Sequence, residues 1–223
     1  MNKLIRVTGI IALVVGAAWA LLTVWAESPG PKRSWKLGNP QAPKRVLIVY
    51  DPDPFYNLDE QVCRSFGQAL ADKGLQVTVA TVRAARELPE QAPDLYVFCA
   101  NTYNWAPDRS VRDYIEEHGS LSGKPVVAIT VGSGGTGSAQ QALEELILAR
   151  KATLLGSRSL WLMKPNDEAR MQESNVAVAV SLAYAWGEKI ALQMGAHQPS
   201  PQPLGALLPL TQTRKHEVVV AEP

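Results

Sequence analysis

With 223 residues, 46% hydrophobic and 19% charged, the chain has the makeup of one globular domain plus extensions, not of an extended disordered polymer. A formal net charge of +1, without a basic, aromatic-rich stripe, removes the electrostatic basis for a nucleic-acid partner. The two cysteines and three scattered histidines form no metal-ligand spacing, so no metal site is expected. Cys63 and Cys99 sit in apolar patterns and read as small buried hydrophobes.

At the N-terminus, Lys3 and Arg6 precede an uncharged run from Val7 to Ala26. As a helix rising about 1.5 Å per residue, this run crosses a hydrocarbon core of about 30 Å. Trp19 and Trp25 suit an interfacial aromatic belt. Residues 1–26 therefore read as a single-pass membrane anchor. The alternative is a cleaved signal peptide ending near Val24 and Ala26, but signal-peptide apolar regions usually run only about 7–15 residues. Lys3 and Arg6 on one side nearly balance Lys32, Arg33 and Lys36 on the other, so the side of the membrane that carries the domain stays open. Residues 27–43, rich in proline and glycine, read as an extended linker.

Residues 44–194 alternate strand and helix patterns. Val46 to Tyr50 is a continuous apolar run, as a strand buried on both faces should be. Asn57 reads as a helix N-cap with Glu60 reaching back to it, and Val62, Phe66 and Leu70 follow at helical spacing until Gly74. Gln76–Val82 and Asp94–Ala100 are the next strands, and Pro107 opens a helix through about Glu117. Val126–Val131 is a fourth strand and Ser138–Ala149 a helix. Thr153–Leu162 is a fifth strand interrupted by Gly156-Ser157-Arg158-Ser159, and the last helix runs from about Met171 to Leu192. This alternation predicts a doubly wound parallel α/β sheet covered on both faces, with ligands at the loops after Tyr50, Ala100 and Val131. Residues 195–223 form a Pro-rich tail, either disordered or packing back through Leu204–Leu210.

The loop Asn101-Thr102-Tyr103-Asn104-Trp105, following the strand Asp94–Phe98, resembles the flavodoxin pattern of a hydrophobic strand running into a flavin-contacting loop. Leu121-Ser122-Gly123-Lys124-Pro125 is similar to that family's Gly-Lys step into strand four, and Gly132-Ser133-Gly134-Gly135 stands where flavodoxins place a second flavin loop. The resemblance implies five parallel strands in the order 2-1-3-4-5. It also implies an FMN cofactor, and electron transfer or flavin-dependent oxidoreduction in which no side chain acts as acid or base. Tyr103 and Trp105 would flank the ring. Thr102, Asn104, Gly132, Ser133, Gly134 and Gly135 would supply polar contacts, with Tyr56 and Asn57 near the phosphate. A redox or assembly partner protein at the membrane is expected.

The first loop departs from that pattern. Asp51-Pro52-Asp53-Pro54 sets two carboxylates against a phosphate dianion and removes two amide donors. The second reading is therefore a non-catalytic, flavodoxin-like binding or assembly module that has lost flavin. Two further alternatives are a dinucleotide site at the Gly132–Gly137 G-x-G-x-x-G run with Arg158, and a carboxylate pair at Asp51 and Asp53.

Overall fold

The structure, a computed structural model, describes residues 3–89, 92–117 and 121–195. The tail beyond Gly195 and all three histidines lie outside the described residues. In chain order the first elements are α1 (Lys3–Ala26), β1 (Ser34–Leu37), β2 (Arg45–Tyr50), α2 (Leu58–Asp72), β3 (Gln76–Thr81) and α3 (Val82–Ala85). They are followed by β4 (Leu95–Tyr103), β5 (Ala106–Pro107), α4 (Arg109–Glu117), β6 (Pro125–Gly132), α5 (Gly137–Ala149), β7 (Thr153–Trp161) and α6 (Asn175–Gln193).

The five expected strands run parallel in the order β3-β2-β4-β6-β7. In order of appearance this is 2-1-3-4-5, as the sequence implied. Successive side chains of a strand point to opposite faces, and the core divides accordingly. Val46, Ile48, Tyr50, Val97, Cys99, Val127 and Ile129 pack under α2 and α6. Leu47, Val49, Tyr96, Phe98, Val126 and Ala128 pack under α3, α4 and α5. Cys63 and Cys99 are buried free thiols in the first of these clusters, and burial pushes the Cys63 thiol up and away from reactivity.

The segment read as a spacer carries a strand. Ser34–Leu37 pairs antiparallel with β3, Ser34 opposite Ala80 and Leu37 opposite Val77. Trp35 and Leu37 turn onto the core, and Trp35 stacks on Tyr50 with centroids 6.4 Å apart. Flanking prolines hid a short but half-buried alternation. Conversely, Gly156 to Ser159 does not break β7. Gly156 accommodates Trp186, whose ring would lie 3.2 Å from an added Cβ. Ser159 bonds Thr130 at 2.7 Å, and the Gln140 amide reaches both Ser157 and Ser159.

Three helix starts differ from the sequence reading. Asn57 makes no side-chain cap to α2, because its Oδ1 accepts from the Gln61 amide (2.6 Å) and Asp59 Oδ1 takes the Glu60 N–H (2.7 Å), while the Glu60 carboxylate turns to Tyr50 Oη (3.2 Å) and Arg33 (3.0 Å). Pro107 lies in a two-residue strand opposite Thr102, and α4 is capped by Asp108, whose Oδ1 accepts Val111 N–H at 2.9 Å. α6 begins at Asn175 rather than near Met171, after a 3-10 turn at Glu168–Arg170.

Helix α1 is exposed along its length and apolar enough over Ile5–Ala26, 22 residues, to cross a membrane. Near its end Ala26 is buried, and Glu27 O accepts from Ser110 Oγ at 3.3 Å.

The α2–α6 contact closes over Gly187, where an added Cβ would meet Phe66 O at 2.7 Å and the Ala69 methyl at 2.9 Å. Gly187→Val is expected to force these helices apart and lower stability by about 1–3 kcal/mol. Urea unfolding monitored by circular dichroism checks it.

Candidate functional site

At the carboxyl end of the sheet the loops after β2, β4 and β6 meet, and Asn101 ties them together. Its buried side-chain amide donates to Asp51 O at 2.7 Å and to Asp59 Oδ2 at 3.0 Å. Its backbone N–H donates to Asp108 Oδ2 at 2.8 Å. Asp59 also accepts the N–H of Asp53 (2.7 Å) and of Glu60 (2.7 Å). Asp53 in turn accepts the N–H groups of Phe55 (2.6 Å) and Tyr56 (2.9 Å), and the hydroxyl of Tyr103 at 2.6 Å.

These carboxyls sit in low dielectric. Burial pushes Asp59 up to about 6, against the hydrogen bonds from Asn101, Asp53 and Glu60 that favour its charge. Burial, with the neighbouring charges of Asp51 and Asp59, holds Asp108 well above the usual carboxylate range. Asp51 is raised for the same first reason, although the Gly30 N–H opposes it at 2.9 Å. The Tyr103 hydroxyl is raised by burial and then by its bond to Asp53.

Beside this network lies a cleft of about 200 Å³, walled by Tyr56, Thr102, Tyr103, Gly132, Ser133 and Leu162. The structure therefore brings five of the sequence-derived site residues together: Tyr56, Thr102, Tyr103, Gly132 and Ser133. Asn57 is exposed and its side chain accepts from Gln61 at 2.6 Å, outside the cleft wall. Asn104 and Trp105 form the turn between β4 and β5, both left-handed at φ +48° and +62°, with Trp105 72% exposed. Gly134 approaches Lys164, and Gly135 is open to solvent. The loop carbonyls are held from below, Gly132 O by Leu162 N–H (2.8 Å) and Ser133 O by Met163 N–H (2.9 Å). Arg158 stacks on Trp186 at 5.3 Å. It belongs to the α6 face and not to the glycine loop, which leaves the dinucleotide alternative without its cation.

The architecture has known counterparts. A cysteine-to-serine mutant of flavodoxin from Pseudomonas aeruginosa is 18% identical with a TM-score of 0.51, over 68% of this chain and 99% of that one. An NAD(P)H:quinone oxidoreductase from Methanothermobacter marburgensis is 12% identical with a TM-score of 0.50, over 66% of this chain and 98% of that one. The fold is flavodoxin-like. At the level of sequence, no family model and no curated protein gives a significant match. Function must therefore be argued from the site of this flavodoxin-like domain, since the fold hosts more than one.

The residues fit the two halves of a flavin nucleotide unequally. Thr102 lines the cleft, and its Oγ1 is buried behind that wall with no partner among the described residues, a donor and acceptor left unused. An added Cβ at Gly132 would meet Thr136 Cγ2 at 2.9 Å and Thr102 Cβ at 3.1 Å, so the glycine keeps this wall low. At the phosphate half, the Asp53 amide already bonds Asp59, the Phe55 and Tyr56 amides already bond Asp53, and the Asp53 carboxylate itself lines the cleft, so this loop opposes an anion.

Sequence reasoning missed Asn101, Asp59 and Asp108 as the determinants of this loop arrangement. Asp108 was legible as an Asp directly before a helical pattern, the commonest cap chemistry. Asp59 carried no signal, because it looks like any acidic residue in a first helical turn.

The raised Asp59 carboxyl fixes the sign of a pH effect. The folded protein keeps this proton up to about pH 6, whereas an unfolded chain releases it near pH 4. Its contribution to stability is whole below about pH 4 and is lost as pH rises through about 6, roughly 3 kcal/mol in all. Urea titrations between pH 4 and 7 should show this slope, and Asp59→Asn should flatten it.

Proposed function

We propose that this chain is a membrane-anchored flavodoxin-like protein that binds FMN chiefly through its isoalloxazine ring. The proposed chemistry is electron transfer or oxidoreduction with a protein partner at the same membrane. The observation that carries the reading is the unpartnered Thr102 hydroxyl in the cleft wall beside Tyr103, Gly132 and Ser133. A buried hydroxyl left unbonded costs about 1–3 kcal/mol, and a χ1 rotation of Thr102 that turns it to a ring heteroatom in the cleft removes that cost. Tyr56 and Tyr103 supply aromatic surface, and Trp105 stands exposed at the rim as a cover for the ring. Asn104 is carried in the same turn, and Gly134 and Gly135 continue the glycine wall. When bound, a flavin supplies reversible electron transfer, so the protein's part is to hold, orient and shield.

Asn57 and Tyr56 contribute little to phosphate binding in this reading, because Asp53 takes the Tyr56 and Phe55 amides. The same closure favours the second reading, a binding or assembly module without flavin. One experiment separates them. The full chain in detergent micelles is titrated with FMN and with riboflavin, following flavin fluorescence. FMN and riboflavin should bind within about tenfold of one another, a difference under about 1.4 kcal/mol. Thr102→Val should weaken both while leaving the free protein as stable or more so. No spectral change with a folded protein would abandon the flavin and leave the module. Asp53→Ala frees two amides and removes a carboxylate, and should tighten FMN by about tenfold or more without tightening riboflavin.

A further inference from the structure

The loops around the cleft also form a surface, and its position relative to α1 says what covers it. The last turns of α1 lie against these loops. Trp19 Nε1 donates to Asn104 Oδ1 at 3.2 Å, the Asn104 amide reaches Thr23 Oγ1 at 3.4 Å, and Trp25 meets Phe55 edge-on at 5.5 Å. The uncharged run of α1, Val7 to Ala26, is about 30 Å long as a helix, which is the thickness of a hydrocarbon core. An anchor that spends its whole apolar length inside the bilayer has none left over as a stalk. The loops meet α1 between Trp19 and Trp25, so they are held within about 10 Å of the lipid boundary.

Side-chain exposure agrees with that placement. Outside α1, the large exposed hydrophobic side chains among the described residues are Phe55, Tyr56, Trp105, Met163, Met171, Leu148 and Leu192. The first five follow the carboxyl ends of β2, β4 and β7, on the side where α1 ends. Trp105 and Met163 are 72% and 71% exposed. Scattered single hydrophobes need no explanation, but five exposed aromatics and methionines gathered at one end of the sheet do. Trp105 is held outward by a left-handed backbone that bulky residues rarely adopt. Lys164, 4.2 Å from the Trp161 ring, adds a cation beside Met163 at headgroup level.

We propose that this rim docks into the headgroup layer of the phospholipid bilayer that holds α1, so that the cleft opens on the membrane surface rather than into bulk water. The inference rests on the reading of α1 as a retained anchor, and it requires no flavin. Because the rim carries both Lys164 and the Asp53 carboxylate, zwitterionic phosphatidylcholine suffices as the bilayer.

The test uses the full chain reconstituted in phosphatidylcholine vesicles, with one nitroxide label per variant at Val14→Cys, Trp105→Cys, Met163→Cys or Leu148→Cys. The native cysteines are fully buried and do not compete for label. Spin relaxation by oxygen, which favours lipid, is compared with relaxation by a water-soluble nickel chelate. Labels at 14, 105 and 163 should favour oxygen, and the label at 148, on the far end of α5, should favour nickel. Met163→Cys keeps the Trp105 indole, so loss of that ring cannot decide the result. A label at 14 in lipid with 105 and 163 behaving like 148 would overturn the docking and leave the anchor standing. A label at 14 that favours nickel would overturn both.

Discussion

Asn101 is the constraint on which the functional end of this molecule depends. One side-chain amide reaches the loop after β2 and the first turn of α2, while the backbone of the same residue is held by the cap of α4. The loop after β2, the start of α2 and the cap of α4 are thereby fixed to the end of one strand. The arrangement encloses three carboxyls, Asp51, Asp59 and Asp108. Carboxyls taken out of water disfavour their charged form, and hydrogen bonds from backbone amides only partly offset that. Such a network is costly unless nearly complete, and when complete it selects a single loop geometry. Here the geometry selected is one in which acidic side chains receive the amides that a bound anion would otherwise need.

That substitution changes how a flavodoxin-like scaffold can work. Two parts of the site adjoin: a cleft beside Thr102 and Gly132, and an acidic loop between Asp51 and Asn57 whose Asp53 lines that cleft and accepts the Tyr103 hydroxyl. The loop opposes a phosphate by its charge and by the amides of Asp53, Phe55 and Tyr56 that carboxylates already take.

Much of the fold was legible because it is written in periodicities. Val46–Tyr50 and Val126–Val131 are unbroken apolar runs, and the helices between them repeat at 3.6 residues, so strand number and a doubly wound sheet follow from connection rules, while the order 2-1-3-4-5 came from the resemblance. β1 was not legible, since a four-residue strand between prolines is stabilised by Trp35 resting on Tyr50, a contact between distant positions. The capping box at Asn57 failed for the same kind of reason. Glu60 had a better partner in Arg33, distant in sequence in a segment read as linker. At the candidate site, the loops were found from strand ends, and Tyr103 and Gly132 with them. The buried acids were not, because a carboxyl leaves no trace of burial in local sequence.

The same segment that made the last strand hard to recognise, Gly156-Ser157-Arg158-Ser159, has a consequence for life at the sheet's open margin. Among the described residues β7 pairs only with β6, so its outer side presents an unpaired row of amides and carbonyls. A flat, uninterrupted apolar strand in that position would template association with another chain. This one carries an arginine laid across Trp186, hydroxyls engaged by Gln140, and a register shift opposite Val126 and Val127. These features make the margin a poor template for a second copy. That is a safeguard against edge-to-edge aggregation between copies of this chain.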